Sequence, residues 1–533
     1  MIRRLSLTTI LIVTLLVAPS AALAFDDDEM SFDIDEVDVD LAFLDDLLTE
    51  GQGLYEREQY EEASLRFFDV LETHEPGAEA YHPQAEYELA RTLLRLNLPQ
   101  GALSYFGRIA EMGDFHPYFR DALQGLLVLT ESIGGDMVLA EHLARYAEFF
   151  PQLIPEQYRD HYAYLAGRQL FEDLDIEEAV RLLRSVSRGS AYYARARYIM
   201  GIAHVADYDA EPAVDAFRDV LRYMESLDTP LDRLRGDRAR LLDLTHLGMA
   251  RVYYSTGQYE TSLNYYGRIS RDSPRWPDAL FESSWTAFQL DEFNRALGNL
   301  HSLNSPFFEG SYFPEGPILA AVIYFYNCNY GLVRETLDDF DFIYEGVRDE
   351  LDLLLRDHSD PFALYEWGRK WRDGDIDGSP EFLSALQASL ADRQVAQRFN
   401  LVEAIDAELE EMQELSDSWQ TSFLGDTLNQ EAMLAHSFAT SDAGELVQLR
   451  LQRVSSEITD LINQQDRILF EVARAEQGEI EDEIRHGMML DADIVDGPEL
   501  EVSSEHMYWV FDGEYWRDEL GYYYFDVRSE CRR

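Results

Sequence analysis

QYEEASLRFFDVL, residues 59–71, decides the fold, because the chain keeps returning to its pattern. Close copies are LPQGALSYFGRIA at 98–110, DIEEAVRLLRSVS at 175–187, AEPAVDAFRDVLR at 210–222, GQYETSLNYYGRI at 257–269 and DEFNRALGNLHSL at 291–303. Weaker ones are DMVLAEHLARYAE at 136–148 and NYGLVRETLDDF at 329–340. Aligned, they place a compact residue at Ala63, Ala102, Ala140, Ala179, Ala213, Ser262, Ala296 and Val333. Four positions later come Phe67, Phe106, Ala144, Leu183, Phe217, Tyr266, Leu300 and Leu337. Residues four apart share one helix face, so each copy is a helix that can approach a neighbour closely at one point and fill space at the next. Successive copies lie 39, 38, 39, 34, 49, 34 and 37 residues apart, the spacing of a helical repeat array.

Each copy follows a second amphipathic segment with its own small residue: Ala90 in EYELARTLL, Gly167 in YLAGRQL, Gly201 in YIMGIAHV and Ala250 in LGMARVYY. Prolines after the second helix, Pro76 and Pro274, complete the pattern. Over residues 44–345 the chain resembles the tetratricopeptide repeat (TPR) family. The longer gaps of 38–39 residues resemble the elongated repeats of exported bacterial envelope proteins. The resemblance implies an all-α, TPR-like α-solenoid with an extended concave surface for peptides or protein segments, and no chemistry of its own.

The ends of the chain differ from its middle. Arg3 and Arg4, an apolar run to about Val17, and Ala22-Leu23-Ala24 form a secretory signal peptide over 1–24, cleaved near Ala24. The expected location is periplasmic or secreted. Residues 25–40 hold nine carboxylates and no cation, which predicts a disordered acidic leader over 25–43. The whole chain has 44 Lys+Arg against 102 Asp+Glu, a net charge of −58, and its sole lysine is Lys370. So negative a surface repels nucleic-acid phosphates and anionic lipid headgroups, and it favours basic protein partners. No segment of the mature chain has the 18 consecutive apolar residues of a membrane span.

The repeat signal fades at about 345. Residues 346–490 form a helical region in which Val447, Leu451, Val454, Ile458, Leu461, Gln465, Ile468, Val472 and Ala475 step by four and three, a coiled-coil seam over 447–475. That stripe requires a partner, either the 395–415 helix folded back or the same helix of a second chain in a homodimer. The tail, 491–533, packs nine aromatics into residues 508–525. YWVF-DG-EYW reads as a hairpin turning at Asp512-Gly513, with YYYFDV as a third strand. Such a β-type tail serves either as a cap over the last helices or as an aromatic docking surface through Trp509 and Trp516. Cys328, within the apolar run AVIYFYNCNY, reads as a buried thiol, which argues against pairing with Cys531.

Chemistry-bearing motifs are sparse. Asp373-Gly374-Asp375-Ile376-Asp377-Gly378 matches the opening of an EF-hand loop, with Glu381 at its ninth position, and makes Asp373, Asp375, Asp377 and Glu381 the candidate calcium ligands. Against it, the twelfth position is Ser384, which has no bidentate carboxylate, and an acidic linker between two helices explains the same residues. The sequence implies no other cofactor. The twelve histidines form no H-x-x-x-H pair, and there is no P-loop or nucleophile elbow. The expectation is therefore a non-catalytic periplasmic scaffold for other envelope proteins, in outer-membrane biogenesis or gliding motility. The alternative is a cell-wall-active enzyme or glycan-binding protein that uses the aromatic tail.

Overall fold

The computed structural model describes residues 41–132, 143–147, 152, 154–226, 237–486 and 510–531. The expected signal peptide, the expected leader through residue 40, Ala140 and Trp509 lie outside the described residues.

Helices pair in chain order. The hairpins are α1 (Ala42–Glu56) with α2 (Tyr60–Leu71), and α3 (His82–Arg95) with α4 (Pro99–Met112). After α5 (Phe119–Ser132) come α6 (Arg159–Glu172) with α7 (Ile176–Ser185), and α8 (Tyr193–Ala206) with α9 (Ala210–Glu225). Then follow α10 (Asp237–Ser255) with α11 (Tyr259–Tyr266), α12 (Trp276–Gln289) with α13 (Phe293–Leu303), and α14 (Glu315–Tyr326) with α15 (Tyr330–Asp357). Each hairpin packs internally, and successive hairpins from α6 onward pack on one another, as in a solenoid.

One turn closes all of these hairpins. It carries a single residue at positive φ: Glu58, Asn97, Leu174, Tyr208, Gly257, Asp291 or Cys328. The amide of that residue donates to a carbonyl three positions back, and the next amide donates to a carbonyl five back, as from Gln59 to Leu54 and from Asp209 to His204. The carbonyls orphaned at the end of the first helix are thereby satisfied. Five residues after each turn lies the compact residue of the repeat, from Ala63 through Val333, and every described one is fully buried. The large residue four further on fills the space left by a small residue sixteen positions before it. A Cβ added at Gly51 would lie 2.7 Å from Phe67, at Gly167 2.8 Å from Leu183, and at Gly201 2.4 Å from Phe217.

The same turn recurs once more, at Gly374, between α16 (Pro361–Arg372) and α17 (Pro380–Leu390). Gly374 donates to Trp371 O and Asp375 to Lys370 O, so the acidic DGDIDG stretch is a hairpin connection. Ser379 caps α17, its Oγ accepting from the Phe382 amide at 3.2 Å. Among the described residues, no three His, Cys, Asp or Glu side chains are grouped to hold a metal ion. Asp373, Asp375, Asp377 and Glu381 therefore do not converge as ligands in this arrangement.

The second half returns along the solenoid. α18 (Arg393–Glu414) and the short α19 (Asp417–Gln420) lead into α20 (Phe423–His486), a helix of 64 residues. The expected boundary at 345–346 falls inside α15, which passes through it unbroken. α20 begins beside α2, where the Phe68 and Phe423 rings lie 5.9 Å apart, and it ends beside α15, where Arg334 pairs with Glu476. Trp419 Nε1 donates to Ser64 Oγ at 3.0 Å. Glu408 accepts from the amides of Gln100 and Gly101, at 2.6 and 2.9 Å, where the first turn of α4 has amides without intrahelical partners.

The apolar stripe of α20 is used within the chain. Val447, Leu451, Val454, Ile458, Leu461 and Val472 are buried. The 395–415 helix supplies only part of the cover: α18 flanks the near half through Arg398–Asp442 at 2.8 Å, with α16 packed alongside. Farther on α15 runs antiparallel to α20, Ser455 donating to Asp352 at 2.8 Å. Within the chain, then, the seam is filled by the chain's own helices, the fold-back alternative. Among the described residues no helix is long and apolar enough to cross a membrane.

Candidate functional site

Among the described residues the tail supplies the most developed binding geometry. Residues 510–531 contain no strand, so the expected β-type hairpin does not form, although Gly513 does take the positive φ its turn would need. Aromatic residues alternate there as in a strand, but their partners are helices. The segment crosses α12, α13 and the end of α14, with a turn over residues 517–521.

Its track is set by α13, where Asn294, Gly298 and Ser302 recur at i, i+4 and i+8 and so share one face. Gly298 matters because it has no side chain: a Cβ there would lie 1.9 Å from the Tyr523 carbonyl oxygen. On either side, the Gly521 amide donates to Ser302 Oγ at 2.9 Å and the Phe525 amide to Asn294 O at 3.1 Å. The Val527 amide donates to Asn294 Oδ1 at 2.9 Å, and that of Glu530 to Asn327 O at 2.8 Å. The α13 face therefore holds the tail by three backbone amides, those of Gly521, Phe525 and Val527, and the end of α14 by a fourth, that of Glu530.

Side chains anchor the rest. Leu520 is buried among Leu247, Ile269, Trp276 and Leu280. Arg271 lies 4.0 Å above the Tyr522 ring and donates to Asp518 O at 3.0 Å, while Arg517 pairs with Asp272 at 2.8 Å. His301 on α13 sits among Phe511, Tyr515 and Tyr523, with ring centroids 4.5, 5.1 and 5.0 Å away. Burial lowers its pKa, because the imidazolium loses hydration there. Tyr523 is shifted the other way, its phenolate disfavoured first by burial.

The far end of the strap is covalent: Cys328 and Cys531 form a disulfide across 203 residues. This corrects the expectation for Cys328. It is not a core helix residue but the positive-φ residue of the turn between α14 and α15, half-buried and turned outward to meet the tail.

Two cavities adjoin the strap. One, of about 430 Å³, is lined by Leu300, His301, Tyr324, Phe340, Tyr344 and Phe525. The other, of about 590 Å³, is bounded by the tail itself, with Trp516, Phe511 and Tyr522 beside Asp512, Glu514 and Asp518. Of the two expected docking tryptophans, Trp516 lines this hollow and is more than half exposed.

Paired antiparallel helices, a fixed hairpin turn and a small-to-large contact sixteen residues apart define a TPR-type helical repeat. No family model and no curated protein matches the chain. Among solved structures it is similar to RapI in its apo form, at 13% identity over 63% of this chain and 100% of that one, with a TM-score of 0.33. It is also similar to TTC0263, a thermophilic TPR protein of Thermus thermophilus, at 19% identity over 46% and 99%, TM-score 0.17. A third is NprR in complex with its cognate peptide NprX, at 13% over 59% and 82%, TM-score 0.23. With scores this low, the repeat class rests on the helix pairs themselves.

Proposed function

We propose that this chain is a non-catalytic scaffold of the cell envelope, exported by its 1–24 leader, whose solenoid binds extended segments of partner proteins. One observation carries the reading: the face of α12–α14 already holds a non-helical polypeptide segment through its main-chain amides, as peptide recognition requires. Export to the periplasm or beyond is supported by the leader sequence, and it suits a chain with a disulfide. Partners with basic segments fit the net charge of −58. Outer-membrane biogenesis and gliding motility are the processes to test first.

The test pairs affinity capture from envelope extract, with partners identified by mass spectrometry, against sedimentation with purified peptidoglycan. Specific protein partners whose capture weakens with salt support the scaffold. Sedimentation with peptidoglycan that is lost in Trp516→Ala overturns it. That second outcome would favour glycan binding, the reading suggested by aromatic rings and carboxylates around the 590 Å³ hollow. N-terminal sequencing of the mature protein checks export separately, a start at Phe25 being the expected result.

A further inference from the structure

The strap lies on a backbone-binding track along α13, and a covalent bond holds it there. Three features combine. The track on α13 recognises backbone, through Asn294 and Ser302, and leaves a glycine-sized slot for a carbonyl at Gly298. The occupant is the chain's own aromatic segment around Leu520–Glu530, which shows what the track accepts. The bond that retains it joins Cys328 to Cys531, and Cys531 is solvent-exposed near the end of the chain.

We propose that the tail is a resident ligand of the α12–α14 face and that the Cys328–Cys531 disulfide is a redox latch. Reduction frees the tail and opens the track to an extended, aromatic-rich segment of a partner protein. This rests on the scaffold reading given above and supplies its regulation.

The chemistry requires a dithiol reductant. One of its thiolates attacks the exposed Cys531 Sγ, the S–S bond breaks, and Cys328 leaves as a thiolate that takes up a proton. The second thiolate of the reductant then displaces Cys531. Two electrons have passed to the protein, which ends with two thiols, and the reductant ends with one disulfide. Once freed, the end of the strap is held by hydrogen bonds and packing alone, and an outside segment then competes with a tethered one. A short tether presents its ligand at an effective concentration of about millimolar, so partners must match that figure or contact the solenoid elsewhere as well.

The experiment uses the full chain, oxidised and after reduction, together with Cys531→Ser as an open latch that needs no reductant. Hydrogen exchange is followed at the amides of Gly521, Phe525, Val527 and Glu530, and binding is followed with a labelled peptide of residues 516–530 at about 1 mM. The expected result is exchange at least about tenfold faster in the reduced chain and in Cys531→Ser, with peptide binding in those two forms only. Unchanged tail protection after reduction overturns the latch and leaves the scaffold reading standing. Faster tail exchange without peptide binding overturns the track itself, and the scaffold reading then loses the observation that carries it.

Discussion

Substituting Gly298→Ala should separate the stability of α13 from the docking of the tail. In the helix alone alanine is favoured over glycine by about 1 kcal/mol, since it restricts the unfolded chain. In the assembled protein the new methyl would sit 1.9 Å from the Tyr523 carbonyl oxygen, and 2.6 Å from its carbon. Ordinary contact needs about 3.5 Å, so the tail backbone must retreat by roughly 1.5 Å. Such a retreat takes the flanking bonds, Gly521 to Ser302 at 2.9 Å and Phe525 to Asn294 at 3.1 Å, beyond hydrogen-bonding range. Two net bonds are worth about 2 kcal/mol, or roughly a 30-fold rise in the local opening equilibrium. Native-state hydrogen exchange reads both effects. The α13 amides should keep or gain protection, while Gly521 and Phe525 lose about 30-fold. Undiminished tail protection in Gly298→Ala would refute the reasoning, because it would mean that the tail does not depend on this close approach.

Three further outcomes are expected. Gly201→Ala places a methyl 2.4 Å from the Phe217 ring and should cost about 1–3 kcal/mol in urea unfolding; a neutral result would deny the tight small-to-large contact. Tyr208→Gly should instead stabilise by about 0.5–1 kcal/mol, since Tyr208 is almost fully exposed and holds a left-handed conformation that glycine adopts without strain; a lower unfolding midpoint would contradict the turn. Glu408 is pushed up to about 7, first by burial and against the pull of the Gly101 and Gln100 amides. Its folded pKa thus exceeds the unfolded value of 4.5, so the stability it confers is complete below about 4.5 and is lost as pH rises through 7. Unfolding midpoints measured from pH 4 to 8 should therefore fall less steeply in Glu408→Gln than in the wild type, and parallel curves would exclude this assignment.

What the sequence disclosed was local. The i, i+4 pairs such as Ala63 with Phe67 belong to single helices, so their periodicity shows without knowledge of any partner. Gly51, Ser284 and Ala321 each stand sixteen residues before the large residue of their repeat, the same offset as Gly201 and Phe217. The same bookkeeping places Cys328 five residues before Val333, which is the turn position and not the helix interior. Asp373-Gly374-Asp375 reads two ways because a left-handed hairpin turn and a calcium loop call for the same residues, glycine for positive φ and short carboxylates beside it. The tail was illegible for another reason. Alternating aromatics suit a strand, but Tyr523 lies against Gly298 and Phe525 against Asn294, more than 220 residues away in sequence, and no local pattern carries that pairing.

The return of α20 from α2 to α15 alters how the array behaves under load and during synthesis. A free solenoid is a spring, each repeat bending on its neighbour, and its stability adds up step by step. Here a rod of 64 residues, about 96 Å long, ties the first hairpin to the last, so the spring becomes a strutted frame. Stretching it has to strip the strut, and the end repeats share the fate of the middle ones. The strut is also late. The amides of Gln100 and Gly101 wait for Glu408, and Ser64 waits for Trp419, partners more than 300 residues downstream. At roughly 5–20 residues per second, the first hairpins stand incomplete for about 15–60 s before the chain that finishes them has been made.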